Sequence, residues 1–177
     1  MSAPEYSHMP EYSCRIDLRQ INDQPVVLEP GEAERRRLAG RFGITAIDTM
    51  RAEVRMTVDG GKIEAMGHLD AQIVQMCAIS GEDFPVTISE PVALRFVPPM
   101  KAYDPDEEIE ISADDCDEIE YEGTSFDLGE AIAQTLALAI DPFAEGPNAD
   151  KARIEHKLGG DSETGPFAAL SALKPRD

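Results

Sequence analysis

The stretch that decides the fold is Met50-Arg51-Ala52-Glu53-Val54-Arg55-Met56-Thr57-Val58-Asp59-Gly60-Gly61-Lys62-Ile63-Glu64-Ala65-Met66-Gly67-His68-Leu69. Met50, Ala52, Val54, Met56 and Val58 alternate with polar neighbours, the period of a strand that buries one face. Asp59-Gly60-Gly61 tolerates positive φ and so closes a tight hairpin. The return strand repeats the alternation with Ile63, Ala65, Gly67, Leu69, Ala71 and Ile73, and the pattern predicts continuation through Gln75 to Cys77 and Ile79. A third strand is predicted from Phe84 to Val97, with Val86, Ile88, Val92, Leu94 and Phe96 inward. Pro85 and Pro91 make it edge-like or bent near Glu90, because proline offers the ladder no donor. Successive strands with short connections predict an antiparallel meander.

Upstream, Cys14, Ile16 and Leu18 alternate with charged residues and predict a strand over Tyr12 to Gln20, with a short apolar piece at Val26 to Leu28. Pro30-Gly31 opens a helix over Glu32 to Phe42, and Gly43 stands where a C-terminal cap belongs. Downstream, Ser125-Phe126-Asp127-Leu128-Gly129-Glu130 is a helix start. Asp127 caps a free N–H, Glu130 completes a capping box, and Phe126 packs back as a staple. Leu128, Ile132, Thr135, Leu136 and Ala139 form the buried stripe, and Asp141-Pro142 ends the helix. Residues 145–164 read as a polar linker, after which Phe167, Leu170 and Leu173 mark a short helix. The fold class is therefore α+β: an antiparallel, curled sheet of about five to seven strands with one main capped helix and a few short ones. Its organisation is a flexible N-terminus (1–11), a single α+β domain (12–144) and a C-terminal linker and helix (145–177).

The chain has 177 residues, 16 Lys+Arg and 35 Asp+Glu, for a formal net charge of −19. A broad basic surface for nucleic acid or anionic lipid is excluded, so DNA and membrane partners are not expected. The charge is concentrated. Between Asp104 and Glu122 there are eleven acidic residues and no basic one. Asp104, Asp106, Glu107, Glu108, Glu110, Asp114, Asp115, Asp117 and Glu118 form a candidate surface for a Lys/Arg-rich partner. The opposite sign gathers at Arg35, Arg36, Arg37 and Arg41 on the first helix, joined by Arg51 and Arg55. Four guanidinium groups on one helix can grip phosphates, which makes them the candidate RNA contact. The competing reading is a solvated face paired with Glu32 and Glu34.

Catalytic and metal motifs do not stand out. There is no G-x-G-x-x-G, no phosphate loop and no H-E-x-x-H, and His8, His68 and His156 are scattered. Asp104, Asp106, Glu108 and Glu110 have the spacing of early calcium-loop ligands, but Ile109 stands where such a loop needs glycine and Asp115 where it needs glutamate. Cys14, Cys77 and Cys116 are odd in number and unpaired by spacing, which fits a reducing compartment and a cytoplasmic protein. Cys77 reads as a buried structural thiol with no cation nearby to lower its pKa. No metal or cofactor is expected. The N-terminus shows no secretory pattern, and the longest apolar run, Leu136 to Ile140, is too short for a membrane span.

Four blocks carry a resemblance. Met76-Cys77-Ala78-Ile79-Ser80 with Phe84-Pro85-Val86 and Glu90-Pro91-Val92-Ala93-Leu94-Arg95-Phe96-Val97-Pro98 resembles the central strands of the YceD family. The acidic stretch ending in Ser125-Phe126-Asp127-Leu128-Gly129-Glu130, with Leu138-Ala139-Ile140-Asp141-Pro142, is similar to its second block. The tail from Pro166 to Lys174 and the segment from Arg35 to Gly43 are similar to its C-terminus and its alphaproteobacterial branch. Cys77, Phe126, Asp127, Leu128, Pro142, Phe167, Leu170 and Leu173 are the structural positions this resemblance marks. It implies a non-enzymatic bacterial protein needed for accumulation of large-subunit ribosomal RNA, linked to ribosome assembly. Many members carry a second cysteine three residues after the first. Here that position is Ser80, and 141–157 holds no cysteine, so no zinc role is expected. The expected partners are large-subunit rRNA, a basic ribosomal protein, or both. The alternatives are a carboxylate-dependent hydrolase and a purely structural protein-binding module; a hydrolase needs one carboxyl raised by burial, which a dense hydrophilic run does not favour.

Overall fold

A computed structural model describes residues 10–99, 118–156 and 158. The Asp59-Gly60-Gly61 hairpin is there: β3 (Ala46–Asp59) and β4 (Lys62–Met76) pair antiparallel with Asp59 opposite Lys62. Gly60 and Gly61 both adopt positive φ, 56° and 91°, as a two-residue turn between right-twisted strands demands. Ahead of them lie β1 (Arg15–Asp17), β2 (Val26–Leu28) and helix α1 (Glu32–Phe42). After them come β5 (Asp83–Val97), β6 (Glu118–Glu120), β7 (Ser125–Asp127), α2 (Leu128–Ala139) and α3 (Ala149–Glu155). A five-stranded sheet runs in the order β2-β3-β4-β5-β6, with β2 and β6 at its ends, and β1 pairs with β7 in a separate antiparallel ribbon. The α+β class is what the sequence pattern implies.

The alternation read from sequence decides which face is covered. Met50, Ala52, Val54 and Met56 on β3, and Ile63, Ala65, Leu69, Ala71 and Ile73 on β4, are buried, while their neighbours face outward. They join Leu38 and Ala39 of α1 and Leu128, Ile132 and Leu136 of α2 in one hydrophobic cluster. Each fully buried Leu or Ile contributes about 1.5–3 kcal/mol of transfer free energy. The opposite face of β3 and β4 stays open, as antiparallel sheets permit. Gly67 sits among the inward residues because a Cβ there would lie 2.0 Å from the Glu53 carbonyl oxygen.

Several expected boundaries are corrected. The predicted strand over Tyr12 to Gln20 shrinks to β1, because the Asp17 carboxylate accepts the Arg19 N–H and turns Leu18–Gln20 into a 3-10 helix. The strand expected to reach Ile79 stops at Met76; from Cys77 the chain turns, with the Gly81 N–H donating to the Cys77 carbonyl. β3 starts earlier than Met50 and carries a bulge between Ile47 and Thr49. The sheet is not wholly antiparallel, since β5 and β6 pair parallel through Arg95–Glu118, Phe96–Ile119 and Val97–Glu120. The linker expected over 145–164 contains α3, which buries Ala149 and Ala152 and ties Arg153 to Asp150 and Glu145. α1 and α2 match expectation within a residue, and Gly43 caps α1 at φ 68°.

Two compact units are distinguished. One holds the chain up to Val74 together with Pro85–Ile140; the other holds Gln75–Phe84 and the segment from Asp141 onward. No helix among the described residues is long and apolar enough to cross a membrane.

Candidate functional site

The residues singled out from sequence converge most densely where α2 begins. The Asp127 carboxylate accepts three donors: the Glu130 N–H at 3.1 Å, the Cys14 N–H at 2.9 Å and the Ser13 hydroxyl at 2.5 Å. The first is the expected N-cap; the other two tie in the N-terminal strand. Leu128 donates its N–H back to the Cys14 carbonyl at 3.0 Å. Phe126 stacks on Phe96 with ring centroids 4.2 Å apart, so its anchor is the sheet. Cys14 is half-buried beside Asp127, and burial first, then that carboxylate, push its thiol pKa up. Nearby Tyr12 is buried, and desolvation lifts its phenol to about 12.

Glu130 does not close the expected capping box. Its carboxylate takes a bidentate fork from Arg41, at 2.8 and 2.7 Å, and an amide N–H from Gln134 at 3.0 Å. Arg41 is thereby held above its ordinary pKa and Glu130 below its own, chiefly by that shared hydrogen bond. Arg41 also reaches the Glu11 carboxylate at 3.2 Å, and Arg37 donates to the Glu11 carbonyl. Arg35 donates to the carbonyls of Ile47 and Pro30. Arg36 is exposed and pairs with Glu32 one turn away at 2.9 Å. Glu34 instead accepts the Gly31 N–H at 2.6 Å and so closes the N-terminus of α1. Arg37 and Arg41 thus share Glu11, while Arg35 and Arg36 are taken up by other partners within the chain. Arg51 pairs with Glu29 and Glu53 on the open sheet face.

Of the acidic run, Glu118, Glu120 and Glu122 are described; Asp104, Asp106, Glu107, Glu108, Glu110, Asp114, Asp115 and Asp117 lie outside the described residues, as do Phe167, Leu170 and Leu173. Glu118 pairs with Lys62 at 3.3 Å and Arg95 at 3.6 Å. Among the described residues no three His, Cys, Asp or Glu side chains are grouped to hold a metal ion.

Sequence spacing gave no sign of two further groupings. On the open sheet face the Ser89 hydroxyl donates to Asp70 at 2.7 Å and lies 2.7 Å from His68 Nε2. With its hydrogen committed to Asp70, Ser89 must accept from His68. That order is the reverse of nucleophile activation, where the imidazole accepts from the hydroxyl. In the second unit, Cys77 is only 3% exposed, as expected, but its environment is not the expected one. Its sulfur accepts the Ile79 and Ser80 N–H groups at 3.4 and 3.3 Å. Hydrogen bonds from the Ser80 side chain and backbone lead the effects that lower the thiol to about 7, with Gly146 and Ile79 adding to them. The turn is pinned from both ends: Cys77 N–H to Glu82 carbonyl, Ala78 N–H to Ala144 carbonyl, and Asn148 to the Glu82 carboxylate at 2.6 Å. Pro142 follows Asp141, whose carboxylate accepts the Phe143 N–H and turns the chain out of α2.

Against known proteins, the model of one family, described as "Large ribosomal RNA subunit accumulation protein YceD", matches residues 65–174, well over half of the chain. No curated protein and no solved structure matches it. The matched span takes in Cys77, the Asp127 junction and Pro142; the arginine helix precedes it.

Proposed function

The chain belongs to the YceD family, and from that premise we propose that it is a non-enzymatic ribosome biogenesis factor, working in the cytoplasm, that supports accumulation of large-subunit ribosomal RNA. The family match over residues 65–174 carries the reading, because the family's description names that role. The factor works by contact, with a basic ribosomal protein, with rRNA, or with both. Charge supports the protein half more strongly: the net charge is −19, and eleven carboxylates fall within 104–122. RNA contact rests on α1. Arg36 is its most available guanidinium, since an exposed pair such as that with Glu32 contributes about 0–1 kcal/mol. Arg35, Arg37 and Arg41 would have to leave partners in their own chain.

Deleting the gene should lower large-subunit rRNA relative to small-subunit rRNA, read by the ratio of the two in total RNA. An unchanged ratio overturns the proposal. Neutralising the carboxylates of 104–122 should weaken capture of basic ribosomal proteins at low salt and leave little difference at high salt. Arg35→Ala with Arg36→Ala should weaken rRNA capture; unchanged capture removes α1 as the RNA contact.

A further inference from the structure

A groove of about 520 Å³ opens where α2 lies beside β5 and β6. Pro91, Leu94, Ile119, Ala131 and Leu138 give it apolar walls, Glu90 and Glu118 line it as well, and among the described residues no lysine or arginine does. Leu138 is 89% exposed, although α2 buries Leu128, Ile132 and Leu136. Glu90 occupies the inward parity of β5 between Ile88 and Val92, where the alternation calls for an apolar residue, and it is only half-buried. Beside the groove, sharing Ile119, Ala131 and Gln134 with it, a second hollow of about 250 Å³ carries Glu120, Glu122, Asp127 and Glu130 against Arg15, its one cation among the described residues. Glu130 and Glu118 are committed to Arg41, and to Lys62 and Arg95. Glu90, Glu120 and Glu122 form no ion pair among the described residues.

We infer that this groove seats a Lys/Arg-rich segment of a basic protein, which inserts an apolar side chain against Leu138 and Leu94 and sets its cations on Glu90, Glu120 and Glu122. The inference rests on the proposed function and names the surface that would meet its protein partner. Among the described residues, an apolar wall bordered by three unpaired carboxylates against Arg15 alone is complementary to a chain that is both basic and amphipathic. RNA is repelled by the same carboxylates, and a second copy of a chain carrying −19 is repelled too. Strand addition to β5 is disfavoured at Pro91, which has no N–H to donate, so side-chain anchoring is the mode that remains.

The test is fluorescence anisotropy of the full chain with three synthetic peptides of equal length. The first alternates Arg/Lys with leucines at helical spacing, the second replaces the leucines by serine, and the third replaces the basic residues by glutamate. The first should bind and the third should not, and the first should bind at least about tenfold more tightly than the second. Leu138→Ser should remove most of that advantage without lowering the melting temperature, because the side chain is already exposed. Glu90→Gln with Glu122→Gln should weaken the first peptide about threefold or more at low salt and little at high salt. Equal binding of the first two peptides, or indifference to Leu138→Ser, overturns the groove and assigns attraction to charge alone. No binding of the first peptide overturns it as well, whether a segment of the chain itself fills the groove or nothing does. Self-association abolished by Leu138→Ser would assign the groove to a second copy and also overturns it. Each of these results is independent of the rRNA ratio in the deletion strain, so failure of the groove and failure of the proposed function are told apart.

Discussion

At the start of α2, Cys14 sits beside the Asp127 carboxylate and its thiol pKa is pushed up; at the turn after β4, Cys77 is more deeply buried, yet its thiol is pulled down to about 7. Burial alone would raise both. The difference lies in what each sulfur meets: the Ser80 side chain first and backbone amides after it at Cys77, burial and then a carboxylate at Cys14. At the first junction the N–H groups of Cys14 and Glu130 are aimed at a carboxylate, which is already the anion. At the second, the N–H groups of Ile79 and Ser80 are aimed at the sulfur, which takes the anion's place. Both junctions join segments far apart in sequence, 13–14 with 127–130 and 77–82 with 144–148. One is closed by a carboxylate that takes three donors, the other chiefly by backbone hydrogen bonds, with Asn148 on Glu82 beside them.

The largest effect that would break or sharpen this contrast comes from the glycine at each junction. A Cβ on Gly129 would lie 2.5 Å from the Cys14 nitrogen and 2.9 Å from the Ser13 carbonyl carbon, both backbone. A Cβ on Gly146 would meet the Phe84 ring at 2.9 Å, which can turn about its side-chain torsions, and the Cys77 Cβ at 3.4 Å, which is close to ordinary contact. Gly129→Ala should therefore cost about 3 kcal/mol, even after the helix-propensity gain of alanine, and Gly146→Ala about 1 kcal/mol. Denaturant midpoints measure both. A Gly146 variant as damaging as the Gly129 variant would show that the second junction is the tighter packed.

Next in size is Asp127→Ala, which removes one acceptor from three donors and should cost about 2 kcal/mol, cap and strand tie together. Asp127→Asn keeps one acceptor oxygen and should recover about half of that. Ser80→Ala at the other junction leaves both backbone donors in place and should change the chemical denaturation midpoint little. Equal losses for Asp127→Ala and Ser80→Ala would erase the distinction between a charged clasp and a backbone one.

The hairpin at Gly60-Gly61 and the bounds of α1 and α2 were legible because their signals are local: alternation, a cap, a paired glycine turn. The parallel β5–β6 pairing was not, since a three-residue strand carries too little pattern to place beside Arg95–Val97. α3 hid in a polar stretch because it buries only Ala149 and Ala152. Of the candidate site, the type of residue was readable but not its partner. Arg41 looked available for phosphate, and its fork to Glu130 spans 89 positions. The environment of Cys77 was out of reach for a related reason. Its anion-stabilising groups are amides and one hydroxyl, which add no charge to the sequence around it.

The smallest effect in stability is the sharpest in sign. Cys77 has a folded pKa near 7 against an ordinary 9.0, so it favours the fold fully above 9.0 and loses that contribution as pH falls through 7. Cys14 has a folded pKa above 9.0, so its contribution is intact below 9.0 and is lost as pH rises through its raised value. Thiolate absorbance of a Cys14→Ser/Cys116→Ser variant should therefore show a rise centred near 7 that Ser80→Ala moves upward. A Cys77→Ser/Cys116→Ser variant should show its rise centred above 9.0. Asp127→Asn should lower the Cys14 midpoint only modestly, because burial is the larger cause and the carboxylate the smaller. If instead both thiols titrate together, the hydrogen bonds at Cys77 do not separate them, and burial is the common control.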